Sequence, residues 1–376
     1  MTDPLNDGQR DFKTMLWTGV TLFPTFVCNF TCPFCAFSAD LNQHRDELTF
    51  AEIERLAREL KRVLVLHIGG GEPFIRKDLP EIIQAMWKHA RVRKVEIPTN
   101  GWSAERIVPP VERILAHCPG IRLNVRVSLD GVGERHDTVR ARPGSYKAAV
   151  ETLASLGRLA EHRPGLSTGV CQTITSHNQN EALATYRTIR DELKPDALVV
   201  NVCRDGSQED RACLDVLPSR YGEVVRTMNE DVSRGKWWNY PRSRWLRAAF
   251  LNGLHATVWD LIAQELSSGR PPIRCAAGAR RSLIVYSTGD VAFCELQPAI
   301  GNLRQHGGSL RALLATAEAR QSQRALRECD KRHEICWHTS AADPRLNLRL
   351  AAKVLSRAAR FAVRRAFGTP APQPTS

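Results

Sequence analysis

The stretch Val20-Thr-Leu-Phe-Pro-Thr-Phe-Val27, followed at once by Cys28-Asn-Phe-Thr-Cys32-Pro-Phe-Cys35, decides how the rest of the chain is read. The first part is a short run of β-branched and aromatic residues, the pattern of a buried strand. The second places three thiols on the loop that leaves it. The N-terminal MTDPLNDGQRDFK carries acids and lacks the basic and apolar regions of a secretory signal, which predicts a cytoplasmic protein. In that reducing compartment the eleven cysteines point to metal or redox chemistry rather than disulfides. No charge falls between Lys13 and Asp40, but Pro24, Asn29, Pro33 and three cysteines interrupt the stretch and exclude a membrane span. Three thiolates on one loop hold three irons of a cubane and leave the fourth open to a ligand. A zinc loop is the competing reading.

Downstream, β-branched runs alternate with helix-length amphipathic segments, as in a parallel sheet built from βα units. The expected strands are 20–27, 63–68, 94–98, 121–128, 168–174 and 197–202, enough for a partial barrel. Thr49 and Glu52 form a capping box at the first helix, where Ile53, Leu56 and Leu60 recur at helical spacing. A tryptophan-rich helical stretch (Trp237, Trp238, Trp245, Trp259) then bridges to a late cysteine-bearing segment. There, 283–286 and 291–293 flank a Ser287-Thr288-Gly289-Asp290 turn and predict a hairpin. The resulting division is an N-terminal segment (1–19), barrel (20–205), bridge (206–272), late cysteine domain (273–340), basic helix (341–367) and polar tail (368–376). The 376 residues, 43% hydrophobic and 25% charged, suffice for such a core. The +13 net charge favours an anionic partner without choosing one.

The Cys-x3-Cys-x2-Cys spacing, with an aromatic before the last Cys, resembles the radical S-adenosylmethionine (SAM) superfamily. The resemblance implies a partial (β/α)6, TIM-like barrel, with Cys28, Cys32 and Cys35 holding a SAM-binding [4Fe–4S] cluster. It continues in Gly69-Gly70-Gly71-Glu72-Pro73 after the second strand, where bare backbone approaches a ligand and a carboxylate stands ready for a cation. In that family this stretch, Gly70 to Pro73, holds the methionine ammonium group. Asn100 after the third strand, and Ser128, Asp130 and Arg140 after the fourth, match the motifs that face SAM, with Ser128 and Asp130 near its ribose and methionyl parts and Arg140 near a carboxylate. Their bland alternatives are a loop cap for Asp130 and a surface salt bridge for Arg140.

The late cysteines resemble the SPASM or twitch extension, a small α+β iron–sulfur domain. Cys275, Cys294, Cys329 and Cys336 are four where a full SPASM domain has seven, which implies one auxiliary [4Fe–4S] cluster. His338 competes with Cys329 as its fourth ligand, an open iron is a further option, and a structural zinc is the competing reading. Cys171 and Cys203, on the fifth and sixth strands, are either buried small hydrophobes or hydrogen-atom donors pointing into the barrel.

The basic residues Arg345, Arg349, Lys353, Arg357, Arg360, Arg364 and Arg365 supply about half of the net positive charge. They lie beside an apolar stripe of Leu346, Leu350, Val354 and Phe361. Such a helix either binds the inner face of an anionic membrane or docks on the barrel. The family resemblance implies an oxidoreductase or isomerase that cleaves SAM reductively, abstracts substrate hydrogen, and receives electrons from a donor such as flavodoxin or ferredoxin. The expected substrate is a small or lipid-linked molecule such as a sugar. A peptide is the alternative, against which stand only 27 residues before Cys28. A zinc-dependent nucleic-acid-binding protein is the distant rival, and it leaves Gly69 to Pro73 unexplained.

Overall fold

The computed structural model describes residues 16–43, 45–241, 245–269, 282–295, 297–327 and 348–367. Six parallel strands form most of the sheet: β1 (Gly19–Leu22), β2 (Leu66–Ile68), β3 (Lys94–Thr99), β4 (Arg122–Ser128), β5 (Leu166–Ile174) and β6 (Ala197–Val202). Between them run α1 (Phe50–Leu60), α2 (Leu79–His89), α3 (Ala104–His117), α4 (Glu134–Val139), α5 (Ser145–His162) and α6 (Ala182–Thr188). This is the mixed α/β architecture, with a parallel sheet, that the βα alternation predicts. Val20, Leu22, Leu66, Val95, Ile97, Val125 and Val127 are all buried, and α1 presents Ile53, Leu56 and Leu60 to the same core.

The first strand is shorter than expected. Phe23 N makes a 2.9 Å bond to Val285 O, but Pro24 has no N–H to continue a ladder. Residues 23–27 therefore leave the sheet and lead into the cysteine loop. The capping box forms as read, with Glu52 N donating to Thr49 Oγ1 at 3.3 Å and Thr49 N to Glu52 Oε2 at 2.8 Å.

The predicted hairpin is present as β7 (Ser282–Val285) and β8 (Asp290–Ala292), with β9 (Gly301–Asn302) beside it. Gly289, at φ 91°, makes its turn, in the left-handed region where glycine avoids the Cβ penalty. The hairpin also continues the barrel wall, because β7 pairs in parallel with β1, Val20 opposite Leu283 and Thr21 opposite Ile284. One nine-stranded sheet results, in the order β6-β5-β4-β3-β2-β1-β7-β8-β9. Arg304 fastens this end to the first helix, reaching Glu52 at 2.6 Å and Asp46 at 2.9 Å. Before the hairpin run α7 (Pro218–Ser233) and α8 (Trp245–Ser268), and after it the short α9 (Leu310–Leu314) and α10 (Ala317–Arg327).

The last element, α11 (Leu348–Phe367), packs along α8. A Cβ on Gly253 of α8 would stand 2.8 Å from Val354 O and 2.9 Å from Ala358 N, so the two backbones meet there. Val354 and Phe361 are buried, Phe361 against Trp238, and Arg357 pairs with Asp260. Of the two readings of this helix, the packing gives support to docking and none to the membrane, since Val354 and Phe361 are covered by protein. Leu346 and Arg345 lie outside the described residues, and Leu350 has no described side chain. Among the described residues no helix is long and apolar enough to cross a membrane.

Candidate active site

The carboxyl ends of the barrel strands open on a cavity of about 430 Å³. Cys28, Cys32 and Cys35 line it together with Gly69, Gly70, Gly71 and Glu72, Asn100, Ser128 and Arg140. Residues far apart in sequence are brought together because each follows a different parallel strand, and parallel strands put their carboxyl ends on one side. Pro73 and Asp130 are not on the wall. Pro73 begins a single 3₁₀ turn whose first free N–H, that of Phe74, is capped by Glu72.

The glycines are needed for close approach. A Cβ on Gly70 would lie 2.1 Å from Thr25 O, and one on Gly71 2.2 Å from Val27 O. The glycine stretch is hydrogen-bonded to the approach of the cysteine loop, Gly71 N to Thr25 O and Glu72 N to Val27 O, both at 2.9 Å. Glu72 itself is fully enclosed and accepts from Asn100 N at 2.8 Å, Thr99 Oγ1 at 2.9 Å and Phe74 N at 3.2 Å. Burial pushes its carboxyl up to about 7 despite those donors. Asn100 ties the third strand to the same loop, its Nδ2 donating to Asn29 Oδ1 at 2.8 Å.

Asp130 is wholly buried and acts through Arg140. Its Oδ2 accepts from Arg140 Nε at 2.7 Å and its Oδ1 from Thr173 N at 2.7 Å. Arg140 in turn lies over the Phe34 ring, 5.6 Å from its centroid. The salt bridge is thus buried rather than on the surface, and its guanidinium lines the cavity. Nearby, Arg142 stacks on Trp102 at 4.2 Å and shields Phe30.

The cysteine loop is clamped from the far edge of the sheet by the segment after β6. Ser207 N donates to Ala36 O at 2.8 Å, Ser38 Oγ to Ser207 O at 2.5 Å and Ala39 N to Ser207 Oγ at 3.2 Å. Cys203 belongs to this clamp. Its Sγ is 3.2 Å from Cys213 Sγ. Cys171 stands on the cavity wall opposite Ser128 and accepts from Asn201 Nδ2 at 3.2 Å. Cys294 is buried just beyond β8 and does not line the cavity, whereas its neighbour Glu295 does and pairs with Arg204. Cys275, Cys329, Cys336 and His338 lie outside the described residues.

Sequence reasoning missed the lower wall. Helix α8 covers the barrel with His255, Val258, Trp259 and Ile262, facing Arg126, Glu96 and His67 on the strands. The signals were present: in the middle of α8, from Asn252 to Ile262, apolar and small residues dominate more than one face, as in a helix covered on several sides. Lys94, Glu96 and Arg126 interrupt strand sequences at alternate positions, which puts them on one face.

The donor set fits an iron–sulfur cluster. Burial pushes the Cys28 thiol up to about 12 and that of Cys32 to about 11, and raises Cys35 as well. Such thiols do not ionise unaided, and metal coordination is what stabilises their thiolates. Among the described residues no three His, Cys, Asp or Glu side chains converge on a single-ion site. What the three thiols share is a wall of the cavity.

Comparison with known proteins agrees. Residues 22–182 match the radical SAM superfamily. The chain carries a radical SAM domain. This domain uses a [4Fe–4S] cluster and SAM as cofactors. Its sequence is 36% identical over 135 residues to the mycofactocin maturase MftC of Mycolicibacterium smegmatis, covering 35% of this chain and 32% of that one. It is 29% identical over 171 residues to the Fe-coproporphyrin III synthase of Methanosarcina barkeri, covering 45% and 40%. The chain thus spans well under half the length of these curated relatives. Among solved structures, anSMEcpe with bound AdoMet and Cp18Cys peptide superposes with a TM-score of 0.55 at 14% identity, covering 93% of this chain and 98% of that one. Streptococcus suis SuiB gives 0.53 at 16% identity, covering 77% and 64%. At these identities the likeness concerns the radical SAM fold alone, and it extends past the barrel into the C-terminal region.

Proposed function

We propose that the protein is a radical SAM enzyme that oxidises or epimerises a compact substrate held in the barrel. The observation that carries this is the shared wall: Cys28, Cys32 and Cys35 line one cavity with Gly70, Gly71 and Glu72. The three cysteines would hold the cluster, which when bound supplies the electron that splits SAM into methionine and a 5′-deoxyadenosyl radical able to take a substrate hydrogen atom. Glu72 offers the acceptor for the SAM ammonium group, and Asn100 holds the carboxylate in place through its N–H. Arg140 would meet the SAM carboxylate and Ser128 the ribose and methionyl parts, with Asp130 fixing the Arg140 head. Cys171 is placed on the wall to return a hydrogen atom, which would make the net reaction an epimerisation, whereas a reaction without that return is an oxidation. Cys203 fits such a role less well because its thiol is engaged with Cys213.

The late cysteines, Cys275, Cys294, Cys329 and Cys336, would hold one auxiliary cluster in a twitch-like segment. A lipid-linked substrate loses its main support with the docking of α11. Of the tryptophans in the bridge only Trp259 lines the cavity, which weakens the sugar-stacking argument. Peptide modification is the second reading, favoured because solved structures of this fold hold peptides, anSMEcpe with Cp18Cys and SuiB with its precursor peptide SuiA. The test replaces Cys28, Cys32 and Cys35 together by Ala in anaerobically reconstituted protein. Iron should fall by about half, one of two cubanes, and 5′-deoxyadenosine formation from SAM should vanish. Retained SAM cleavage, or zinc in the wild-type loop, would overturn the reading.

A further inference from the structure

The lower wall of the cavity carries an imbalance that the SAM chemistry does not use. Glu96 is the shared partner of three side chains there: Lys94 Nζ at 2.6 Å, Arg126 NH2 at 2.9 Å and His67 Nδ1 at 3.2 Å. Two full positive charges thus meet one carboxylate. Burial would push Glu96 up, but Arg126 and Lys94 outweigh it and hold the carboxyl well below the usual range, so this acid is fully ionised and fully used. Arg126 donates its Nε to Asn124 Oδ1 at 2.7 Å, which fixes the guanidinium plane against the cavity. A surplus charge on a largely buried wall is costly unless a counter-charge reaches it.

A second, independent feature stands opposite. His255 of α8 lines the cavity, is 7% exposed, and has an Nδ1 with no hydrogen-bond partner. Buried polar atoms without partners are few in native proteins and mark places where a ligand or water completes the site. Burial, together with Arg126 and Lys94, lowers His255 to about 3, so the ring is a neutral imidazole that hydrogen-bonds without adding charge. Tyr240 packs against it at 5.7 Å between ring centroids, and Tyr240 holds a backbone φ of 62°. A bulky residue in the left-handed region is strained and persists only where its surroundings fix it. The other ionisable groups on the wall are compensated differently. Arg140 is paired with Asp130, Arg204 with Glu295, and Glu72 supplies negative charge beside the cysteines. The positive charge in excess of its partners therefore lies at the floor of the cavity.

We propose that Arg126 and His255 form a subsite for a carboxylate of the substrate, at the floor of the barrel beneath the SAM site. This rests on the radical SAM reading and adds the substrate class: a compact molecule with a carboxylate at the end remote from the reacting carbon. One guanidinium N–H donates to one carboxylate oxygen, and the imidazole, with its proton on Nδ1, donates to the other. Such anchoring fixes the reacting carbon relative to the radical, which is where positioning accelerates a reaction.

The test titrates acetate, inorganic phosphate and methylammonium calorimetrically into reconstituted, SAM-loaded full-length protein. Acetate should bind, with an affinity that falls at least about tenfold in Arg126→Gln and severalfold in His255→Phe, the loss of a charged hydrogen bond and of a neutral one. Glu96→Gln removes the competing acid and should tighten acetate severalfold, a gain that misfolding does not produce. Unchanged acetate affinity in Glu96→Gln, or methylammonium binding as well as acetate, would overturn the subsite. Preference for phosphate would overturn the carboxylate assignment. Calorimetric SAM binding and 5′-deoxyadenosine formation in the wild-type preparation separate the two readings. If those fail, the radical SAM reading falls, and if they succeed while acetate does not bind, only the subsite falls.

Discussion

Replacing Gly71 by Ala tests whether the glycine stretch and the cysteine loop are one unit. The added Cβ would stand 2.2 Å from Val27 O, 2.6 Å from Val27 C and 3.0 Å from Phe26 C. All three are backbone atoms, so no side-chain rotation relieves the contact, and the two segments must part by about 1 Å to reach ordinary separation. That movement breaks the 2.9 Å bonds of Gly71 N to Thr25 O and Glu72 N to Val27 O. Two bonds at about 1 kcal/mol each, with about 1–3 kcal/mol of overpacking strain, give a loss of about 3–5 kcal/mol. At the few degrees per kcal/mol expected of a large domain, the apparent Tm falls by about 5–15 °C. Iron content after reconstitution should fall with it, because the displaced segment leads directly into Cys28. Gly157 in α5 has nothing within 4 Å of its would-be Cβ, so Gly157→Ala should instead raise stability by about 0.5–1 kcal/mol. Differential scanning fluorimetry and iron analysis of both variants check the argument. A Gly71→Ala protein with wild-type Tm and full iron would refute it.

If Glu72 holds the SAM ammonium group, SAM binding depends on pH. Burial sets its carboxyl at about 7 without a cation, so SAM affinity should weaken about fivefold between pH 7 and pH 6 as the group takes a proton, and Glu72→Gln should bind weakly with a flat profile. The sign for stability without SAM is opposite: an acid raised above its unfolded value of 4.5 lowers stability as pH rises from 4.5 to 7, and denaturant titrations across that range read it. Arg304 holds Glu52 down to about 2, so this contact stabilises above pH 4.5 and is lost as pH falls toward 2, and Arg304→Ala should flatten the acid limb of the unfolding curve. Phe361→Ala should cost about 2–4 kcal/mol by opening a cavity between α11 and α8, while full-length protein should ignore anionic liposomes at low salt in a flotation assay; liposome capture would revive the membrane reading.

The parallel sheet was legible because its strands are local, β-branched runs, and the cysteine and glycine motifs were legible because their spacing is local too. The first strand was overextended because a composition rich in Thr, Phe and Val outweighed the missing N–H of Pro24. The parallel pairing of β7 with β1 joins residues more than 260 positions apart, and no local pattern announces a partner at that distance. Likewise the docking of α11 turns on a missing side chain at Gly253, which in sequence reads only as a weak spot in a helix. At the site, Asp130 and Arg140 stand out in the sequence, but that they neutralise each other follows only from the 2.7 Å between them. His255 went unnoticed because a histidine within an apolar helix carries no motif, and its significance comes from facing Arg126 across the barrel.

The clamp of Ser207 on Ala36 and Ser38 has a consequence for synthesis. The cysteine loop leaves the ribosome early, but the segment that fixes it is made 169 residues after Ser38. At about 5–20 residues per second, the three thiols spend roughly 10–30 s on a nascent chain without their final cover. Assembly of the metal centre is therefore offered a window during translation that closes when the sixth strand joins the sheet, and slowing or hastening elongation over residues 40–207 should change how much iron the finished protein retains.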